Sequence, residues 1–230
     1  MTFLQHFLWI AAVSILIPLD SDPYIAKEVA SPIHINGRGN DQNWLLAEKL
    51  TTFSDPWNDD KIQETSFSAL WDRSFFYFLF EVKDRDIVAE GDPANKRGVL
   101  TADRVEIFFK SHDGMEPYYC LEMDPWGRVL DYVGHFYRRS DFNWEWPEED
   151  LIVLGTINPS GYVVEGKISL HSLRELGILA DDAIQAGIFR GDFSRQEDST
   201  DVRWITWITP ESEKPDFHIP SAFGKIAFDP

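Results

Sequence analysis

LTADRVEIFFKSHDGMEPYYCLEMDPWGRVLD, residues 100–131, is the stretch whose reading decides the fold class. Two apolar runs, Arg104–Lys110 and Tyr118–Met123, read as strands, and each carries one glutamate near its centre, Glu106 and Glu122. The link between them holds Asp113, Gly114 and Pro117, and the second run stops at Asp124, Pro125, Trp126 and Gly127, which is turn chemistry at both places. Successive side chains of a strand point to opposite faces, so Glu106 shares a face with Arg104 and Phe108, and Glu122 with Cys120. A carboxylate so placed either meets water on an open sheet face or belongs to a polar face that binds something.

Outward from this stretch the same pattern repeats. Residues 67–70 and 75–82 are apolar runs around the polar turn Trp71, Asp72, Arg73 and Ser74, which predicts a hairpin. Its second run, FFYFLFEV, is nearly continuous and predicts a strand covered on both faces. Residues 151–157, 162–169 (with a third mid-strand glutamate, Glu165), 183–189, 203–208 and 223–228 read as further strands. Residues 170–176, LHSLREL, give the one convincing helix, with Leu170, Leu173 and Leu176 on a repeat and Gly177 to end it. Residues 44–50, WLLAEKL, form a short amphipathic segment. Many short strands and one short helix predict an all-β chain: an antiparallel β-sandwich of jelly-roll or immunoglobulin-like arrangement, with residues 30–230 as one domain.

Composition narrows the partners. A net charge of −18 leaves no basic footprint for phosphates and excludes nucleic acid as a partner. The single cysteine, Cys120, forbids an internal disulfide and a cysteine metal cluster, and its apolar neighbours mark it as a buried thiol. Residues 1–22 read as an apolar leader: residues 7–19 have the length of a secretory h-region and are too short for a membrane span. No Lys or Arg precedes that run. The expectation is a secreted or periplasmic protein.

No phosphate loop, GxSxG elbow or HExxH motif is present, and the six histidines have no metal-ligand spacing. Three mid-strand glutamates leave a glycoside hydrolase open as an alternative, since that chemistry needs paired carboxylates. Met123 and His135 leave a haem-binding sandwich open as another. The region 131–150 gathers Tyr137, Arg138, Arg139, Phe142, Trp144 and Trp146 in a polar setting. Such a mixture either covers the open end of a core or suits a carbohydrate, whose C–H faces stack on rings while its hydroxyls take polar partners. Asp84, Asp86, Asp92 and Asp103 surround a polar loop that either is solvated or offers oxygens to calcium.

Several short motifs, in order, carry a resemblance. INGRGNDQNWLLA at 35–47 is followed by Leu70, Trp71 and Asp72, by the aromatic strand 75–84, and by DRVEIF at 103–108. The tyrosine-rich strand 118–127, GYVVE at 161–165 and PSAFG at 220–224 complete the series. The chain resembles the family 9-like carbohydrate-binding modules over about residues 32–228. The resemblance implies a β-sandwich that binds oligosaccharide or polysaccharide, often with structural calcium, and that assists glycoside hydrolases without catalysing anything itself. It also implies two aromatic side chains clamping a terminal sugar, one just before DRVEIF and one just before the final motif. The first place, residues 99–101, holds no ring; the second offers Phe217. The retained acid of the motif is Glu106. The expected site is therefore Phe217 with one or more of Trp126, Trp144, Trp146 and Trp207 as stacking rings. Glu106, Arg190 and His218 would bind hydroxyls, and Tyr137 and Arg138 would act from the aromatic-basic loop.

Overall fold

The computed structural model describes residues 22–229 apart from 60, 93 and 198; the apolar leader 1–21 lies outside the described residues. Twelve strands follow in chain order: β1 (Tyr24–Glu28), β2 (Thr65–Trp71), β3 (Phe75–Lys83), β4 (Arg104–Lys110), β5 (Tyr118–Met123), β6 (Val129–His135), β7 (Arg139–Asp141), β8 (Leu151–Asn158), β9 (Gly161–Ser169), β10 (Ala183–Arg195), β11 (Thr200–Thr206) and β12 (Gly224–Asp229). They form one curled sheet in the order β7-β6-β5-β4-β10-β12-β1-β2-β3-β9-β8, with β11 pairing β10. Its two halves face each other as a sandwich. The main core draws Phe76, Phe78 and Phe80 from β3, Val105, Ile107 and Phe109 from β4, and Ile184, Ala186 and Ile188 from β10.

The turns that set these pairings are local. Asp72 accepts from the backbone N–H of Ser74 at 2.7 Å and of Phe75 at 2.8 Å, closing the β2–β3 hairpin. The helix α1 (Leu170–Glu175) is capped by Ser169, which accepts from the Ser172 N–H, and stops before Gly177 at φ 68°. As the continuous apolar run predicts, β3 is covered on both faces: Tyr77 and Leu79 pack outward with Trp44, Ile33 and Val29. One feature differs from the sequence expectation. The first strand, β1, lies upstream of residue 30 and runs parallel to both β12 and β2, so the sheet is not wholly antiparallel. Five residues of alternating burial carry no signal of direction. The short amphipathic segment 44–50 overlaps a 3-10 turn at Gln42–Leu46, with Trp44 buried and Leu45 exposed.

One buried cation ties the two halves together. Arg190 of β10 is fully buried and donates to Asp84, just after β3, at 2.8 Å and to Asp192 at 2.7 Å. It also reaches the Thr65 hydroxyl of β2 at 3.2 Å. Asp103, buried beside them, accepts from the N–H of Val88 at 2.6 Å and of Phe193 at 2.8 Å. Burial pushes the Asp103 carboxyl up to about 7. Among the described residues Asp84, Asp103 and Asp192 are the one acidic group gathered tightly enough to share an ion, with oxygens within 4.8 Å of one another. The structural calcium implied by the resemblance does not fit them. Calcium takes six to eight oxygens, whereas the guanidinium already holds two of these carboxylates and backbone N–H groups hold the third. The nearby Tyr162 hydroxyl, which has no partner, is one oxygen and does not make up the shortfall.

Arg190→Met leaves three buried carboxylates without their cation, and unfolding in urea should show a loss of about 3–5 kcal/mol. The melting temperature of the unaltered protein should be the same in millimolar calcium and in EDTA; a rise with calcium would show that the cluster takes the ion.

Candidate functional site

The outward face of β4 carries Arg104, Glu106 and Phe108, and the register sets Glu106 directly opposite Glu122 on β5. Here the carboxylates meet neither water nor each other across a cleft. Arg104 Nε lies 2.7 Å from Glu106 Oε1 and 2.8 Å from Glu122 Oε2. An Nε carries a single hydrogen, which points to Glu106, so Glu122 Oε2 has an ion-pair contact and no hydrogen bond. The other oxygen of Glu122 accepts from the Tyr132 hydroxyl of β6 at 2.9 Å. Burial first, and then the facing Glu122 charge, push the Glu106 carboxyl up to about 8; burial also raises Glu122. Two buried carboxylates with one guanidinium hold a proton between them at neutral pH.

This floor underlies a cavity of about 150 Å³ walled by Trp204, Arg138 and the segment Pro215, Asp216, Phe217 and His218. Trp204 arrives from β11 because that strand pairs β10 with Trp204 opposite Gly191, and Gly191 in turn lies opposite Arg104. Arg104 sits over the Trp204 ring at 5.1 Å. The far wall is latched: Arg138 pairs with Asp216 at 2.8 Å, and the Tyr137 hydroxyl donates to the same carboxylate. His218 is bonded to the Tyr118 hydroxyl at 2.8 Å, and burial, aided by the Arg138 charge, lowers its pKa to about 4, so the imidazole is neutral.

The structure thus brings together Glu106, Arg138, Phe217 and His218, with Tyr137 against the Asp216 wall. The other expected residues lie elsewhere. Arg190 points to the opposite side of β10 and serves the buried clamp. Trp146 is in the main core, its indole N–H bonded to Ser172 at 3.0 Å, and Trp144 packs on it and on Tyr119. Trp207 also packs against the main core, three residues and therefore one face away from Trp204. Trp126 is exposed, but its indole is tied to the Ala89 carbonyl at 2.9 Å, and it does not line the cavity. Phe217 lines the cavity with one face already stacked on Phe189 at 4.0 Å, so it is a wall before it is a platform. The residues that sequence reasoning left out of the site are Trp204, Arg104 and Glu122. Alternation in RWITWI does separate Trp204 from Trp207, but nothing local says which face is the outward one.

The rival chemistries lose their residues. Glu165 lies on another face, where it accepts from the N–H groups of Asn36 and Gly37 and from the Trp44 indole, all at 2.8–2.9 Å. Glu106 and Glu122 sit side by side on one guanidinium, which is not the arrangement of an acid and a base flanking a bond. Met123 is in the main core, while His135 pairs with Glu116 at the surface, so no haem pocket joins them. Cys120 is buried, with burial raising its thiol pKa well above the usual range. A wider hollow of about 620 Å³ beside β8 is lined by Lys96, which pairs with Glu145 and Asp131, and by Glu148.

What the cavity can do follows from its inventory. It offers under-donated carboxylate acceptors, guanidinium donors and an indole wall, which suits a small molecule rich in hydroxyls and C–H faces. No curated protein matches the chain. Among solved structures, a Bacteroides uniformis ATCC 8492 protein assigned by inference to carbohydrate binding is 18% identical, with a TM-score of 0.65 over 89% of this chain and 98% of that one. A carbohydrate binding module family 9 from Caldicellulosiruptor kristjanssonii, in complex with cellotriose, is 18% identical with a TM-score of 0.57, over 89% of this chain and 93% of that one. A family 9 module from the same organism, in complex with glucose, gives 0.53 at 18% identity, over 89% and 95%. These share the fold. The family model described as "Carbohydrate family 9 binding domain-like" matches residues 35–229, and the chain belongs to that family.

Proposed function

We propose that this chain is a non-catalytic carbohydrate-binding module that seats one sugar unit over Glu106, Arg104 and Glu122 with Trp204 as its stacking ring. The observation that carries the reading is the convergence, in one cavity, of the acid of the DRVEIF motif with a second carboxylate, an indole and two arginines. Sugar hydroxyls supply the donors that the floor lacks, and the neutral His218 adds no charge that a neutral sugar would have to offset. The family and the sugar-bearing neighbours support the ligand class. In this proposal the module is exported, as the apolar leader suggests, and holds glycoside hydrolases on polysaccharide.

Titration calorimetry with glucose, xylose and their β-1,4 oligomers tests the proposal; no heat at millimolar sugar would refute it. Trp204→Ala should weaken binding by roughly 10- to 30-fold; because the indole also packs on Phe193 and Phe217, binding is read well below the variant's own melting temperature, and an unaltered affinity would remove the indole from the site.

Binding should also depend on pH with a definite sign. The free carboxylate pair holds a proton below about 8. Hydroxyl donors favour the ionised pair, so the sugar expels that proton, and affinity rises as pH climbs toward 8 and then levels. Glu106→Gln should flatten the profile; a wild-type affinity that falls between pH 6 and 8 would contradict hydroxyl donation to the floor.

A further inference from the structure

The outer face does not end at the cavity. Tyr132 of β6 points to the same side as Cys120 and Phe108, its cross-strand neighbours, and its hydroxyl reaches back to Glu122. On the ring of Tyr132 lies Phe142, immediately after β7, with centroids 4.7 Å apart. Phe142 is a large apolar side chain, yet 36% of it stays exposed. Over its ring, at 4.9 Å from the centroid, sits the guanidinium of Arg97, itself exposed. Among the described residues Arg97 has no carboxylate partner, unlike the two cavity arginines, which are paired with Glu106, Glu122 and Asp216. One unbroken row of contacts therefore crosses the sheet: Trp204, Arg104, Glu122, Tyr132, Phe142, with Arg97 above its end.

We infer that Phe142 and Arg97 form a second sugar subsite, which takes the unit linked to the one in the cavity, so that the ligand is a chain lying across the strands. This rests on the function proposed above. A strand spacing is about 4.8 Å, so β6, where Phe142 rests on Tyr132, and β4, which carries Arg104, are about 10 Å apart. One pyranose cannot touch both the Trp204 wall and the Phe142 ring, whereas two or three linked units can. The subsite has the composition such a unit needs: the exposed edge of a ring whose faces Tyr132 and Arg97 already touch, for its C–H groups, and an unpaired fork of donors for its hydroxyls. The 3-10 turn Lys96–Thr101 presents Arg97 against Phe142 and leaves the aliphatic Leu100 exposed beside it.

The test is titration of glucose, cellobiose and cellotriose into the full chain and into Phe142→Ala and Arg97→Ala, both surface changes. The full chain should bind cellobiose and cellotriose roughly three- to tenfold more tightly than glucose. Each variant should keep its glucose affinity within about twofold and lose most of that gain. Equal affinity for glucose and cellotriose in the full chain, or an equal loss for all three sugars in the variants, would overturn the subsite and leave the cavity standing. Absence of binding by any of the three would overturn both.

Discussion

A charge buried in a strand must be balanced where it stands, and the sheet is organised by two arginines that do this. Arg190 and Arg104 belong to neighbouring strands but serve opposite faces. Arg190 and Asp192 turn inward from β10, while Gly191 between them turns outward beneath Arg104 and Trp204. Asp103 and Arg104 divide in the same way: the aspartate joins the buried clamp and the arginine forms the cavity floor. The clamp fixes β10 against the ends of β2 and β3, and β10 in turn holds β4 on one edge and β11 on the other. Each member of the cavity floor and its indole wall therefore stands on a strand whose position the inward clamp has already set. A Cβ on Gly191 would stand 3.3 Å from the Trp204 ring and 3.4 Å from the Arg104 guanidinium, so the outward stack is packed down to its last methyl.

The site is less a pocket in a loop than a polar strip on an otherwise apolar sheet face. Around it Phe108, Tyr118, Phe189 and Phe217 form a second apolar layer under the segment that carries Phe217 and His218. That layer keeps water from the floor, which is why both glutamates are driven toward protonation and why His218 stays neutral. A protein of net charge −18 gains nothing from presenting further exposed carboxylates to a neutral ligand. Desolvated ones, short of donors, are worth more to an incoming hydroxyl.

Much of the fold was legible because its signals are local. The hairpin closed by Asp72, the helix ended by Gly177, the doubly covered β3 and the placing of Glu106 on one face with Arg104 and Phe108 all follow from spacing within about ten residues. The misses share one cause. Trp144, Trp146 and Trp207 are attractive for their composition, but whether an aromatic in an irregular segment or at a strand end turns into the core or onto a wall depends on how the sheet curls beneath it. Residues 204 and 207 sit on opposite faces in any reading; only the long-range register that sets Gly191 between Arg104 and Trp204 chooses between them. Arg190 looked like a donor for a ligand because one sequence cannot show that Asp84, more than a hundred residues away, folds onto it.

Glu122 shows most sharply how pairing changes a residue's meaning. Nothing in the motif pattern distinguishes it, and only Glu106 carries family support. Yet the antiparallel register sets the two opposite each other, and one guanidinium with a single Nε hydrogen lies between them. Neither carboxylate can then be treated alone: the hydrogen that satisfies Glu106 leaves an oxygen of Glu122 without one, and the proton that relieves their repulsion belongs to both. The same sharing separates this floor from a hydrolase pair. Catalysis by two carboxylates needs one to stay an acid and the other a base on opposite sides of a bond. Here a common cation and a common proton tie the two together on the same side of the cavity. What remains is an acceptor surface short of donors, which the hydroxyl-bearing ligand of the proposed function would complete.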